Sequence, residues 1–212
     1  MTKKNAKGRF LIVLGAVLII AALSLTFYNF YHENESLGKM NTALTQLEKE
    51  IPSTPQDDSS PFDVFDNSST ADEEEDDSIE LDGNIYMGMI TLPTLGQQFP
   101  VIKGWNYQDM NVAPCRYDGT RARRDLIICA HNYAGFFDKL DQLSTGDEVI
   151  FTDIHGRTFH YTVSYGELIN GWDVDSMYKG ARQDWDLTLF TCTWSGYSRV
   201  TIRCTLDENN DR

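Results

Sequence analysis

The chain has 212 residues, 41% of them hydrophobic, and a formal net charge of −14. That length holds one domain with appendages, and the charge excludes nucleic acid as an expected partner, because phosphate recognition needs clustered positive charge. The acidity is uneven: 16 of the 32 carboxylates but only 6 of the 18 basic residues precede Gly83, so the remainder, with 16 acids against 12 bases, is only mildly acidic.

Residues 1–9 are a basic segment containing Lys3, Lys4, Lys7 and Arg9. Residues 10–31 hold the uncharged run Phe10–Tyr28. At about 1.5 Å per residue this run matches a hydrocarbon core of ~30 Å. The basic cluster is expected to stay cytoplasmic, which places the rest of the chain outside the cell. A cleaved signal peptide is the competing reading, with Ala22-Leu23-Ser24 as a small-x-small site. The run exceeds an apolar signal region of roughly 7–15 residues, so a retained single-pass anchor in the cell membrane is the expectation.

Residues 32–51 read as a polar helical stem, in which Leu37, Met40, Leu44 and Leu47 recur at helical spacing as a packing stripe or self-association face. Residues 52–82 differ in kind, with Pro52, Pro55, Pro61, several serines and the acidic block Asp72–Asp77. Such a stretch buries too little apolar surface to offset its ordering entropy, and its charges repel. It is expected to be a disordered tether. A run of carboxylates alone does not support a calcium site.

From Gly83 to Asp207 the texture is short strands punctuated by turns, followed by a polar tail at 208–212. Strands are expected at Ile85–Ile90, at Gln98–Ile102 and at Asp125–His131. Pro114–Gly119 reads as a loop, and Phe136–Leu143 as a short helix with Phe136, Phe137, Leu140 and Leu143 inward. Glu148–Thr152 and Thr158–Tyr165 flank a Gly-containing turn and form a hairpin. Leu168–Asp186 is a longer connection. Many short strands with few helices imply an all-β sheet closed on itself.

The chemistry concentrates in Thr188-Leu189-Phe190-Thr191-Cys192, a strand that delivers a cysteine to its end. Gly196 marks the turn that follows. Arg199 opens the next strand, in which Val200, Ile202, Cys204 and Leu206 alternate with polar residues. A thiol at one strand end and a guanidinium at the start of the next can converge on one point, and His131 ends the Asp125 strand as a candidate base.

These residues resemble a known family. Thr188–Cys192 is similar to the TLxTC signature of the sortases, cysteine transpeptidases of Gram-positive cell surfaces. Ala130-His131-Asn132 looks like the family's strand-end histidine, and Arg199 like its arginine, in the same chain order. The resemblance covers roughly Asn84–Leu206. It implies a closed eight-stranded β-barrel behind an N-terminal transmembrane helix, with Cys192, His131 and Arg199 around one groove. The Leu168–Asp186 connection is short for the helical insertion of class B.

The resemblance also implies a reaction. Cys192 attacks the threonine carbonyl of an LPxTG-like sorting signal, and an amine from cell-wall peptidoglycan or a pilin lysine resolves the thioacyl-enzyme. His131 acts as cationic partner and acid, and Arg199 holds the substrate backbone or oxyanion. Thr191, Asn132 and Trp194, beside the motif residues, are assigned to substrate binding. No metal or organic cofactor is expected, and calcium dependence is left open. The alternatives are a cysteine peptidase that hydrolyses the same signal and a non-catalytic module that binds it. Cys204 is expected in the core, Cys129 near the site, and Cys115 in a loop; free thiols are the expectation, with a disulfide between Cys129 and Cys192 as the alternative. Arg121, Arg123 and Arg124 read as a solvated basic loop.

Overall fold

A computed structural model describes residues 3–52, 77–178 and 184–208. The chain divides into two units, Met1–Ser36 and Leu37–Arg212. One long helix, α1 (Lys3–Glu50), begins in the first and ends in the second. In the first unit its apolar side chains from Phe10 to Tyr31 are exposed. By length and composition this helix can cross a membrane, and lipid would cover the side chains that protein does not.

In the second unit the same helix changes character. Met40, Ala43, Leu47 and Ile51 recur at three- and four-residue steps and are buried in the domain core, with Leu37 and Leu44 packed against it. The stripe therefore packs on its own domain. Gly135 and Gly156 permit the approach: a Cβ on Gly135 would stand 2.6 Å from Leu37 Cδ2, and one on Gly156 2.3 Å from the Pro52 carbonyl oxygen.

The sheet contains nine strands: β1 (Ile79–Leu81), β2 (Asn84–Leu92), β3 (Gln97–Ile102), β4 (Cys115–Asp118), β5 (Leu126–Ala130), β6 (Glu148–Asp153), β7 (Thr158–Asn170), β8 (Leu187–Cys192) and β9 (Ser198–Leu206). Its order is β1-β2-β3-β4-β5-β8-β9-β7-β6, and β6 pairs back onto β2. The ring thus holds eight strands, as expected. The ninth, β1, hangs from the start of β2 through Ile79↔Tyr86 and Leu81↔Asn84. Closure removes the unpaired edges that an open sheet would expose.

Three expectations are corrected. The linker assigned to 52–82 ends earlier: Ile79–Leu81 is a strand, joined to β2 by the two-residue turn Asp82-Gly83, both with positive φ. That is the turn a tight hairpin requires. Residues 53–76 of the linker, with most of the acidic block, and residues 209–212 of the tail lie outside the described residues. The expected loop Pro114–Gly119 contains β4, which pairs parallel with β3 at Ile102↔Cys115 and antiparallel with β5. Without it β3 and β5 would leave a gap in the ring. The connection after β7 starts later than Leu168, because β7 runs to Asn170 to match the length of β9.

The short helix is a 3-10 turn at Phe137–Gln142, with Phe137 and Leu140 buried. The basic loop is engaged. Arg121 lies 4.1 Å from the Phe159 ring centroid, Arg123 is 3.4 Å from Asp125, and Arg124 is 2.7 Å from Glu208.

Candidate functional site

Three adjacent strands, β5, β8 and β9, carry or lead into the motif residues. β5 and β8 run parallel with Ala130↔Thr191 as their last pair. His131 and Cys192 therefore leave the two strands side by side. On the other side of β8, Cys192 pairs directly with Arg199 on antiparallel β9. The rung before Cys192 and Arg199 carries Ala130, Thr191 and Val200, and the one before that Cys129, Phe190 and Thr201. Strand register alone makes this convergence, since residues two apart on each strand share a face.

The turn between β8 and β9 is fixed by its own hydrogen bonds. Thr193 N–H donates to the Ser198 carbonyl at 2.9 Å, and Gly196 N–H to the Thr193 carbonyl at 2.9 Å. Gly196 takes φ +73°, which favours glycine. Arg199 Nη1 donates to the Gly196 carbonyl at 2.9 Å and the Ser198 carbonyl at 3.2 Å, so its guanidinium is braced against this turn. Gly171 N–H donates to the Tyr197 carbonyl at 2.8 Å. A Cβ on Gly171 would stand 3.0 Å from both Arg199 Nη1 and the Tyr197 oxygen.

His131 is oriented by an aromatic contact that sequence reasoning missed. Its ring stacks on Tyr133 with centroids 4.4 Å apart and planes 18° apart, and Tyr133 meets Phe136 edge-on at 6.0 Å. The signal was a tyrosine two residues past the histidine, in a segment whose turn could not be read from spacing.

Two cavities reach Cys192, and their linings share no other residue. One, of about 170 Å³, is aromatic and apolar, with Trp105, Tyr117, Phe190 and Cys129 together with Arg199. Trp105, Tyr117 and Phe190 form a ladder with centroid spacings of 5.1 and 5.3 Å. The other, of about 710 Å³, lies among the Phe137–Gln142 turn, β7, β9 and the β8–β9 turn.

The residues assigned to substrate binding fall in three different settings. Asn132 lines the larger cavity. Trp194 stands at its rim, 97% exposed. Thr191 is buried, and its hydroxyl donates to the Ala130 carbonyl at 2.9 Å. That bond clamps β8 to β5 one residue before the cysteine and histidine.

All four cysteines are free, and only Cys192 is not fully buried. Cys115 and Cys129 face each other across β4 and β5, so Cys115 lies in a strand where a loop was expected. Burial pushes the Cys129 thiol up to about 12 and raises those of Cys115 and Cys204 as well. Thiols so displaced stay protonated and poorly nucleophilic.

Arg203 is a second residue the sequence did not single out. Fully buried, it donates to Glu167 Oε1 at 2.9 Å, Thr188 Oγ1 at 2.7 Å, the Met177 carbonyl at 2.9 Å and the Ser176 carbonyl, and lies over Trp185 at 4.3 Å. It ties the post-β7 connection to β7 and β8. Its position on the polar face of β9 gave no sign that another segment would cover it.

Among family models, the one described as a sortase domain matches residues 90–207, more than half of the chain. No curated protein sequence matches it. Sortase C1 from Streptococcus agalactiae is similar in structure, with a TM-score of 0.53 and 21% identity over 68% of this chain and 80% of that one. Sortase E from Streptomyces avermitilis gives 0.51 and 23% over 58% and 88%. A Clostridium perfringens sortase C, solved with the C-terminal cell wall sorting motif, gives 0.51 and 19% over 58% and 71%. At these identities the likeness speaks for the fold.

Proposed function

The chain belongs to the sortase family of cysteine transpeptidases, and from that premise we propose that it is a membrane-anchored enzyme that cleaves an LPxTG-like sorting signal through a thioacyl intermediate on Cys192. The observation that supports this reading is the pairing of Cys192 with Arg199 where two cavities meet, with His131 following the adjacent Ala130↔Thr191 pair. The exposed apolar stretch of α1 supports a single-pass anchor. The basic residues that precede it favour a cytoplasmic N-terminus and an extracellular catalytic domain.

The chemistry follows from the side chains. Cys192 Sγ, as thiolate, attacks the threonine carbonyl carbon. The C–N bond breaks, and His131 gives its proton to the departing amine of the glycine segment. Arg199, permanently charged, stabilises the oxyanion or holds the peptide backbone, and the brace from the β8–β9 turn pre-sets its direction. An amine on peptidoglycan or on a pilin lysine then attacks the thioester and yields a new amide. The reading needs no cofactor. Calcium is one arm of the test.

The full chain in detergent micelles is incubated with an LPxTG-type peptide library, with and without amines, and followed by intact mass. The expected result is an acyl adduct on Cys192 that passes to an amine and is absent in Cys192→Ala. Free acid alone, whatever amine is supplied, would make it a peptidase. Peptide binding that is equal in Cys192→Ala, with no adduct in either protein with or without calcium, would make it a binding module.

A further inference from the structure

Cys115 sits at the thinnest point of the barrel. β4 meets β3 at a single pair, Ile102↔Cys115, and its ladder to β5 is interrupted by a bulge between Arg116 and Asp118. Cys115 thus bridges both neighbouring strands, and directly opposite it on β5 stands Cys129. Opposite residues on antiparallel strands have Cα atoms about 4.5–5.5 Å apart, inside the span of roughly 4.4–6.8 Å that a disulfide bridges. We propose that Cys115 and Cys129 are a redox pair, that a disulfide-bearing oxidant outside the cell joins them, and that the bond fastens β4 into the ring. The free thiols described above are the reduced form of this pair. The proposal draws on the reading above only for the extracellular placement of the domain.

The surroundings favour this partnership over any other. Both side chains are buried, at 0% and 1% exposure, and their polar contacts are weak. Cys115 Sγ–H reaches the Ala113 carbonyl at 3.3 Å, and Cys129 Sγ–H reaches Met110 Sδ at 4.0 Å. After burial, the neighbouring Cys129 sulfur is the next cause that pushes the Cys115 thiol up. A single buried cysteine is ordinarily a small hydrophobe, but two set opposite each other are also within bonding reach. Cys192 is the competing partner, because it lines the smaller cavity together with Cys129. The register disfavours it: Cys129 pairs with Phe190, and Cys192 lies two residues beyond. With strands about 4.8 Å apart and a rise of about 3.3 Å per residue, that diagonal puts the Cα atoms roughly 8 Å apart, too far for a disulfide without backbone movement.

The bond forms while the chain folds. In the unfolded chain both thiols titrate near ~8.5 and supply thiolate. In the folded domain burial keeps them protonated, so the state reached during folding is retained. One thiolate attacks the S–S bond of the oxidant and releases one of its sulfurs. The second cysteine attacks the resulting mixed disulfide and releases the other. The protein gains one S–S bond and gives up two protons, and the oxidant leaves as two thiols. The closed loop of about 15 residues constrains the unfolded chain, and Cys129 is withdrawn from reaction with Cys192.

The test compares two refolding arms. The full chain is refolded in micelles from guanidinium chloride, either with a mixture of oxidised and reduced glutathione or with dithiothreitol. Samples are quenched in acid, alkylated with N-ethylmaleimide in denaturant and mapped by mass. A peptide joining Cys115 to Cys129 is expected in the glutathione arm alone. The urea midpoint of that arm should lie roughly 1 M above the other. Cys115→Ala, or Cys129→Ala if the first does not refold, should erase the difference between its own two arms. Four unbridged cysteines in the glutathione arm would overturn the proposal, as would a bridge between Cys129 and Cys192. Equal midpoints with the expected bridge in place would overturn it too. Acylation of Cys192 is followed separately in the dithiothreitol arm, where its absence would count against the function proposed above and not against the pair.

Discussion

Arg199 shows how much of this site is set by a residue with no side chain. Its guanidinium is braced by the Gly196 and Ser198 carbonyls, and Gly171 closes the space beside it. A methyl group at Gly171 would meet Nη1 and a backbone oxygen at 3.0 Å. The carbonyl is held by its own hydrogen bond from Gly171 N–H, so the arginine is the part that must shift. Gly171→Ala is expected to lower acylation about tenfold, less than the roughly hundredfold that a full ångström of misplacement can cost, with the melting temperature nearly unchanged. Arg199→Lys, which removes the planar fork and keeps the charge, should cost about 10²-fold or more. Single-turnover acylation on the full chain checks both. Equal rates in Gly171→Ala and the unaltered protein would mean that the brace does not set the reacting geometry.

At the scale of elements, the stem helix is part of the domain. Leu47 is fully buried and belongs to the same core as the barrel residues. Leu47→Ala should therefore cost about 2–5 kcal/mol of domain stability, read from denaturant midpoints. A chain shortened to Gly83–Arg212 should lose far more, because the helix and β1 go together, and an unchanged midpoint in either case would refute the packing. The helical spacing of Leu37, Met40, Leu44 and Leu47 was legible, but its target was not, since periodicity reports a face and not what covers it. Ile79–Leu81 was hidden by the acidic composition before it, although Asp82-Gly83 between two alternating runs is a hairpin signal. β4 was illegible for another reason: Cys115–Asp118 is too short to show a period, and ring closure makes it a strand. The pairing of Cys192 with Arg199 could be read because both sit at the ends of two strands joined by one short turn. Tyr133, Arg203 and the paired cavities depend on how loops fold over the sheet, which no local pattern encodes.

Across the whole molecule, stability should fall as pH rises. Cys115, Cys129 and Cys204 are buried with raised thiol pKa values, that of Cys129 reaching about 12, and burial raises Tyr86 to about 12 as well. In the unfolded chain a cysteine titrates near ~8.5 and a tyrosine near ~10. Below about pH 8.5 all four groups are protonated in both states, and their contribution is complete. Above it the unfolded chain releases protons that the folded domain keeps, so stability declines up to the folded values, by at most about 1.4 kcal/mol per pH unit for each group. Net charge acts in the same direction, because the chain is already at −14 and added anions repel, but salt screens that repulsion and hardly touches buried thiols. Denaturant midpoints between about pH 7.5 and about pH 10.5, at low and high salt, separate the two. The decline is expected to survive high salt and to become shallower in Cys115→Ala and Cys204→Ala, each of which removes one such proton. A slope that vanished in salt, or stayed identical in both variants, would assign the alkaline loss to surface charge and leave the buried thiols without a part in it.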